Sequence, residues 1–530
     1  MTHGWMAGSK PGNGRGRHRD HAARRGKGQQ SLKLVRFTAR NEWLFSVDLG
    51  DLIMAGSPDM RERTAQWVPL LRPARLSVRP AAAGTIDSVS RETDIMPKSA
   101  SVAATAVLPV AVPNTRHQWA RGMRAGRWLF ATGLAGTDYV HALAPEVLQT
   151  GHPFDGPSKA HREARRLFQN LDAVLSAAGT TPGNVVRIDQ YYTSPNVVDA
   201  YHQTRREFFN GKIPPSTSNL HRRFARAQQT MEVQVMAAIP GADFDVRHED
   251  KAGAYKIHAS SGYSPALSAG DFRFVPGQTA EALREEDAPI DPEARRAHGL
   301  WKGTPIKLET DFIINRKLKP TLAAVNAGLE TVVKAQVYLR DQDDIPGFRE
   351  VWARHFPVEP ATTIIATATP GFIMPESRIE INTIALAKDG KTAKQVIAPV
   401  PPLFHGASTA VRAGDLLFIS GLMAVRDGAL VPDAKSDPTQ PFYAIPVKAE
   451  LLEILAQAEA ICRAAGTSLT NVVRIQQFHS DLADLPATLD VWSDVMAALP
   501  LSPIEVPWLP VPDARLQIDL WVYCPDRQAV

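Results

Sequence analysis

Ala125-Gly-Arg-Trp-Leu-Phe-Ala-Thr-Gly133, Ala269-Gly-Asp-Phe-Arg-Phe-Val-Pro-Gly277 and Ala413-Gly-Asp-Leu-Leu-Phe-Ile-Ser-Gly421 are three versions of one phrase. Each combines an Ala-Gly turn, a short apolar strand and a closing glycine. The closing glycines are separated by 144 residues both times. A fixed interval of this kind is the mark of a chain built from repeated units.

Outward from the phrase, the same elements recur in the same order. A helix is expected on one apolar face made by Phe168, Leu171, Leu175 and Ala178 in the first repeat. Its counterparts are Leu318, Leu322, Val325 and Leu329 in the second, and Leu451, Leu455, Ala458 and Ile461 in the third. Gly179, Gly328 and Gly466 read as left-handed helix ends. A strand follows, opening at Val185, Val332 and Val472, and 24 residues beyond each valine a second helix reaches Phe209, Phe356 and Met496. Prolines then break the chain (Pro214-Pro215, Pro360, Pro500), and an alternating strand closes each unit: Met231–Val235, Arg378–Asn382, Leu516–Leu520. One sheet with both helices on a single face is the expected α+β unit. Three such sheets leave apolar faces that can bury one another as in a symmetric trimer, giving an intramolecular pseudo-trimer with three clefts. The expected boundaries are 105–245, 250–390 and 395–530.

Charge sets the leading segment apart. Residues 1–95 hold 16 Lys+Arg against 9 Asp+Glu, while the remaining chain holds 44 against 46. A basic, disordered N-terminal extension over residues 1–100 is therefore expected, with Met96 as a candidate natural start. The folded part offers no electrostatic case for nucleic acid. No run of about 18 apolar residues is present, which excludes a membrane-spanning helix. Cys462 and Cys524 are too few for a disulfide framework or a four-cysteine zinc site and fit a reducing, cytoplasmic setting as buried apolar residues. The histidines show no ligand spacing, so neither a metal nor a cofactor is expected.

Tyr263-Ser-Pro-Ala, the phrase ending Gly277-Gln278, the Ala-Gly helix end and Val-Val-x-x-x-x-Tyr338-Leu together resemble the Rid family (YjgF/YER057c/UK114, reactive intermediate/imine deaminases). The resemblance covers about residues 110–525 in three copies. It implies chorismate-mutase-like α+β units, ordinarily assembled as trimers with small-molecule sites between subunits. It also implies hydrolysis of enamines and imines such as 2-aminoacrylate. There an arginine after the proline break grips the substrate carboxylate, and a Glu on the last strand orients water. The carried-over candidates are Glu380 and Glu232 as catalytic groups, with Tyr263, Thr362, Thr217, Gly277, Gly421, Gly133 and Ser420 around the substrate.

This chain departs from the family pattern. No repeat keeps the arginine: the position reads Pro214-Pro-Ser-Thr217, Pro360-Ala-Thr362 and Pro500-Leu-Ser502. The third repeat has Gln517 in place of the Glu. Substitute cations are His221, Arg222 and Arg223, or Arg205, which stands where the other repeats have Trp352 and Trp492. Arg187, Lys334 and Arg474 recur at one strand position, as an architectural set would, and the aromatic Tyr191, Tyr338 and Phe478 recur as packing. The reading is a Rid-like enamine or imine deaminase, or a related C–N hydrolase, with its best cleft formed by Glu380, Tyr263 and Thr362. The alternatives are a member that binds a metabolite or a protein partner without catalysis, and a hydrolase of neutral substrates. A higher oligomer is compatible with each.

Overall fold

A computed structural model describes residues 103–525, apart from 113–114, 150–155, 242–243, 254, 256, 258–260, 284–288, 297–303, 373, 375, 436–438 and 440–444. The basic leading segment and Met96 lie outside the described residues.

Each repeat forms one sheet with the same strand order. In the first, the order is Thr105–Val107, Gly122–Ala125, Trp128–Leu134, Met231–Ala238, Val185–Tyr192, Ser216–Leu220. The last-formed strand thus sits in the middle, antiparallel to both neighbours, and only the edge strand Ser216–Leu220 runs parallel to its partner. The second sheet repeats this with Ile379–Leu386 in the middle and Ala361–Ala366 at the parallel edge. The third repeats it with Leu516–Tyr523 and Leu501–Glu505.

Neither face of the closing strands is open to solvent. All eight residues of each middle strand are buried. One face lies under the helices of its own repeat, in separate clusters for the first and second repeats. The other face joins a common core drawn from all three sheets, where Trp128 meets Phe272 at 5.3 Å and Phe130 meets Trp521 at 6.2 Å between ring centroids. A short strand of the first repeat, Arg223–Phe224, also adds to the edge of the third sheet, with Arg223 paired to Glu505. The His221–Arg223 run is accordingly a junction. His221 is buried and held neutral, its pKa pushed down to about 3 by burial.

The long helices of the first and third repeats, Lys159–Ala178 and Pro446–Ala465, end on left-handed Gly179 and Gly466 as expected. The second repeat differs. Its helix runs Pro305–Phe312, widens into a π-turn over Ile313–Leu318 and stops at Ala324. Pro320 has no N–H for the carbonyl four residues back, which disrupts the regular ladder at this point. The left-handed residue after this helix is Asn326 (φ 55°) while Gly328 is extended, and Leu329 falls in the next turn instead of on the helix. The second helices end at or before Phe209, Phe356 and Met496, so those landmarks mark helix exits.

A recurring device absent from the sequence reading fixes the middle strands. Glu163, Glu309 and Glu450 are buried on the three long helices and accept backbone N–H groups at the entry to the last strand: Thr230 and Met231, Arg378, Arg515 and Leu516. Burial raises the carboxyls of Glu309 and Glu450 to about 7, against the pull of those N–H donors. The strand that carries Glu380 is therefore anchored at Arg378, the residue just before it.

Candidate functional site

Where one sheet meets the next, an edge strand of one repeat faces the middle strand of another. Asn382 Nδ2 of the second repeat donates to Thr217 Oγ1 of the first at 2.9 Å. Thr362 N of the second donates to Ser420 Oγ of the third at 2.9 Å, and Gly421 N donates to Thr362 O at 3.3 Å. Gln234 Nε2 of the first donates to Ser502 Oγ of the third at 2.8 Å. The candidate residues are thereby shared among three clefts. Glu380, Gly277 and Tyr263 belong to the first–second cleft, Thr362, Ser420 and Gly421 to the second–third, and Glu232 and Gly133 to the third–first. Thr362 does not join Glu380, contrary to the sequence reading, because its strand faces away toward the third repeat. Thr217 is buried against Asn382, and its neighbours Ser216 and Ser218 line the cleft instead, since side chains alternate along a strand.

The first–second cleft contains a cavity of about 140 Å³ lined by Gln190, Arg205, Ser216 and Ser218 of the first repeat and by Tyr263 and Glu380 of the second. Glu380 is 5% exposed. Its carboxyl is pushed up to about 8 by burial, with the Ser218 N–H opposing and the charges of Asp189 and Glu281 adding. Gly277 is the reason the carboxyl fits: a Cβ there would lie 1.7 Å from Glu380 Oε1. Tyr263 is half-buried, and its phenol stays protonated because burial raises its pKa further.

Arg205 projects from the second helix of the first repeat, Val198–Phe208, and is fully buried. Its Nη1 donates to Gln190 Oε1 at 3.0 Å and Ser216 Oγ at 3.4 Å, and its Nη2 donates to Ser261 O at 2.5 Å. Its Nε has no hydrogen-bond partner in the protein, and among the described residues it forms no ion pair with a carboxylate. Burial lowers its pKa, yet a guanidinium keeps its charge near neutrality. Nearby His202 is neutral, its pKa pushed down to about 3 by burial and then by Arg205 and Arg206. The cavity is therefore lined by a buried cation with no ion-pair partner among the described residues, by Glu281, and by the Glu380 carboxyl, which is mostly protonated at neutral pH. Its polar lining from Gln190, Ser216 and Ser218 was not foreseen. The alternation around Thr217 was the available signal for the serines, and nothing marked Gln190.

The other two junctions leave little space between repeats, although Ser420 and Gly421 also line a cavity of about 420 Å³ formed within the third repeat. At the third–first cleft Glu232 is buried, its carboxyl accepting from Ser502 Oγ and from Gln229 Nε2. Burial raises it to about 7, the Ser502 hydroxyl pulling the other way. Gly133 (φ +66°) packs its α-carbon against Leu501 O, which a Cβ would approach to 2.5 Å. The second–third cleft holds about 20 Å³ beside Thr362, Ser420, Gly421 and Gln517, and its arginine, Arg349, is taken up by Glu359 at 2.6 and 2.8 Å. A larger cavity of about 760 Å³, between Lys319, His355 and Val396, contains none of the candidate residues. Among the described residues no group of three His, Cys, Asp or Glu is placed to hold a metal ion, and no helix is long and apolar enough to cross a membrane. Cys462 and Cys524 are free and buried.

The model of the family described as Endoribonuclease L-PSP matches the chain three times, at residues 110–239, 254–387 and 403–524. A RutC family protein of Pyrococcus abyssi is 37% identical over 94 residues, which is 18% of this chain and 63% of that protein. The mitochondrial protein MMF1 of Saccharomyces cerevisiae is 30% identical over 112 residues, 21% of this chain and 67% of that protein. The chain thus spans less than two thirds of the Pyrococcus relative. The crystal structure of yeast Mmf1 aligns at 25% identity over 27% of this chain and all of its own, with a TM-score of 0.22.

Proposed function

This chain belongs to the Endoribonuclease L-PSP family, that of the RutC and Rid proteins, and from there we propose that it is a deaminase of small carboxylate-bearing enamines and imines, working at the first–second cleft of an intramolecular pseudo-trimer. One observation carries this reading: Arg205, a buried guanidinium with no ion-pair partner among the described residues, and Glu380, a carboxyl raised to about 8, line the same cavity. The cation takes the role of the arginine missing after the proline break, approached from a helix instead of a strand.

The chemistry follows from the protonation states. A substrate carboxylate accepts from Arg205 and from the hydroxyls of Ser216 and Ser218, which orients the C–N unit toward Glu380. The protonated Glu380 donates its proton to the terminal carbon of the enamine, giving an iminium and leaving a carboxylate. That carboxylate takes a proton from a water as the water oxygen bonds to the iminium carbon. Collapse of the adduct breaks the C–N bond and releases ammonia and a keto acid, with Glu380 protonated again. The two other clefts serve as packing junctions.

The test is ammonia release from freshly generated 2-aminoacrylate and a panel of amino-acid-derived imines. Turnover is expected, with a loss of roughly 100-fold or more in Glu380→Gln and less than about twofold in Glu232→Gln. Absence of turnover on every substrate defeats the deaminase reading. Equal losses in both variants defeat the assignment to one cleft.

A further inference from the structure

Away from the clefts, the recurring cations Arg187, Lys334 and Arg474 meet in one buried network with Asp189 and Asp519. Arg187 donates to both oxygens of Asp189 through Nε at 3.0 and 3.1 Å, and Arg474 Nη2 reaches the same carboxylate at 3.2 Å. Lys334 lies 3.1 Å from Asp519 Oδ2, and Gln336 links the two halves through Gln476 and Asp519. All five charged groups are less than 5% exposed. Three cations thus face two carboxylates. An excess positive charge in a low-dielectric interior demands compensation.

The same region contains a cavity of about 10 Å³ lined by Arg187, Asp189, Gln234, Arg474 and Trp521 among others, enough for one small occupant. Three of these residues bring buried N–H groups that have no partner in the protein: Arg187 Nη1, Arg474 Nη1 and Trp521 Nε1. The Arg474 guanidinium also sits 4.2 Å from the centroid of the Trp521 ring. The acceptors at the cavity are already engaged. Asp189 takes N–H groups from both arginines, and Gln234 Oε1 takes Arg474 Nε at 2.6 Å. A water needs acceptors for its own protons, and this cavity offers unpartnered donors instead.

We infer that the cavity is a binding site for a small monovalent anion of the halide class, held by Arg187, Arg474 and Trp521 and neutralising the centre where the three repeats meet. The Asp189 carboxylate at the wall is offset by the two guanidiniums it binds. A buried anion there also ties together side chains of the first and third repeats, so occupancy stabilises the join between them.

The first experiment is crystallisation of the full chain with bromide in place of chloride, reading the anomalous difference map. A peak within hydrogen-bond reach of Arg187 Nη1, Arg474 Nη1 and Trp521 Nε1 is expected. Bromide found only at the surface, or a water alone in the cavity, overturns the inference. The second is thermal unfolding at constant ionic strength in chloride and in gluconate, an anion too large for the cavity. The midpoint is expected to be higher in chloride, and Trp521→Phe, which keeps the ring and removes one donor, is expected to weaken the chloride dependence about tenfold, as one charge-assisted hydrogen bond of roughly 1.5 kcal/mol would. Identical midpoints in the two salts overturn it as well.

Discussion

Glu380 and Glu232 occupy equivalent places on equivalent strands, and their surroundings make them different groups. Glu232 is closed off by the Ser502 hydroxyl from the neighbouring repeat and by Gln229. Glu380 has Gly277 beside it and a polar cavity in front: Thr217, which matches Ser502 and like it accepts an amide N–H from the facing middle strand, makes no hydrogen bond to the glutamate, whereas Ser502 also donates to Glu232. A single side-chain choice across each junction separates an occupied joint from an open site. Fusing three copies into one chain is what permits such divergence, since in a homotrimer one substitution alters every cleft at once.

The sharpest way to break the comparison is through the glycines. Gly277→Ala forces the Glu380 carboxyl out of position, because the added Cβ meets it at 1.7 Å. A fall of roughly 100-fold in kcat/KM is expected, similar to removal of a general acid–base group. Gly421→Ala meets the flexible end of Gln517 at 2.6 Å and is expected to leave ammonia release within about twofold. Far-ultraviolet circular dichroism on both variants keeps folding apart from catalysis, and equal losses would show that the second–third cleft matters equally. Next in size is Arg205→Gln. Loss of one or two charge-assisted hydrogen bonds to a carboxylate, about 1.5–3 kcal/mol in total, raises KM roughly 10- to 100-fold. An amidated substrate analogue should show no such penalty, and equal effects on both substrates would assign Arg205 to packing, as Trp352 and Trp492 are in their repeats.

Much of the fold was readable because it is written three times. The Ala-Gly-strand-Gly phrase, the helix faces and the closing strands each recur, and agreement between copies suppresses the ambiguity of any single short apolar run. The details that escaped are those in which copies differ or side chains act at a distance. Pro320 reshapes only the second helix. Glu163, Glu309 and Glu450 lie on buried helix faces where a carboxylate has no periodic reason to be, and only the three-dimensional meeting with the last strand explains them. At the site, Glu380 and Tyr263 were expected together and line one cavity, where Gly277, a separate candidate, joins them. Thr362 was misplaced because pairing across clefts depends on which edge strand meets which sheet, and that is a property of the assembly of repeats. Arg205 was visible as an odd residue in an otherwise tryptophan position, but that it would line the same cavity as Glu380 was not.

The protonation state of Glu380 sharpens the comparison further. The mechanism uses the protonated carboxyl, whose pKa burial raises to about 8. The kcat/KM profile is expected to be level below that value and to fall about tenfold for each pH unit above it. Glu232→Gln should leave the profile in place. A rate that climbs with pH through 8 would mean that the carboxylate begins the reaction as a base, and the order of proton transfers would have to be reversed.

The smallest effect concerns stability at the closed cleft. Glu232 has a folded pKa of about 7, raised from its ordinary 4.5 chiefly by burial. Between those values the folded chain binds more protons at this group than the unfolded chain, so this residue's contribution to stability falls as pH rises. Below 4.5 the carboxyl is protonated in both states and the contribution is constant. Above about 7 it is ionised in both, and the full penalty applies. Glu232→Gln removes that titration while Glu309, Glu380 and Glu450 keep theirs, so their effects cancel in the difference between the two proteins. Urea unfolding of wild type and variant at pH 4.5 and pH 7.5 should therefore show the variant gaining up to about 3 kcal/mol relative to wild type across the interval. Parallel stability curves would mean that Glu232 is ionised in the folded chain at all these pH values. The Ser502 and Gln229 donors would then outweigh burial, and the closed cleft would hold a charged carboxylate where the open one holds a neutral acid.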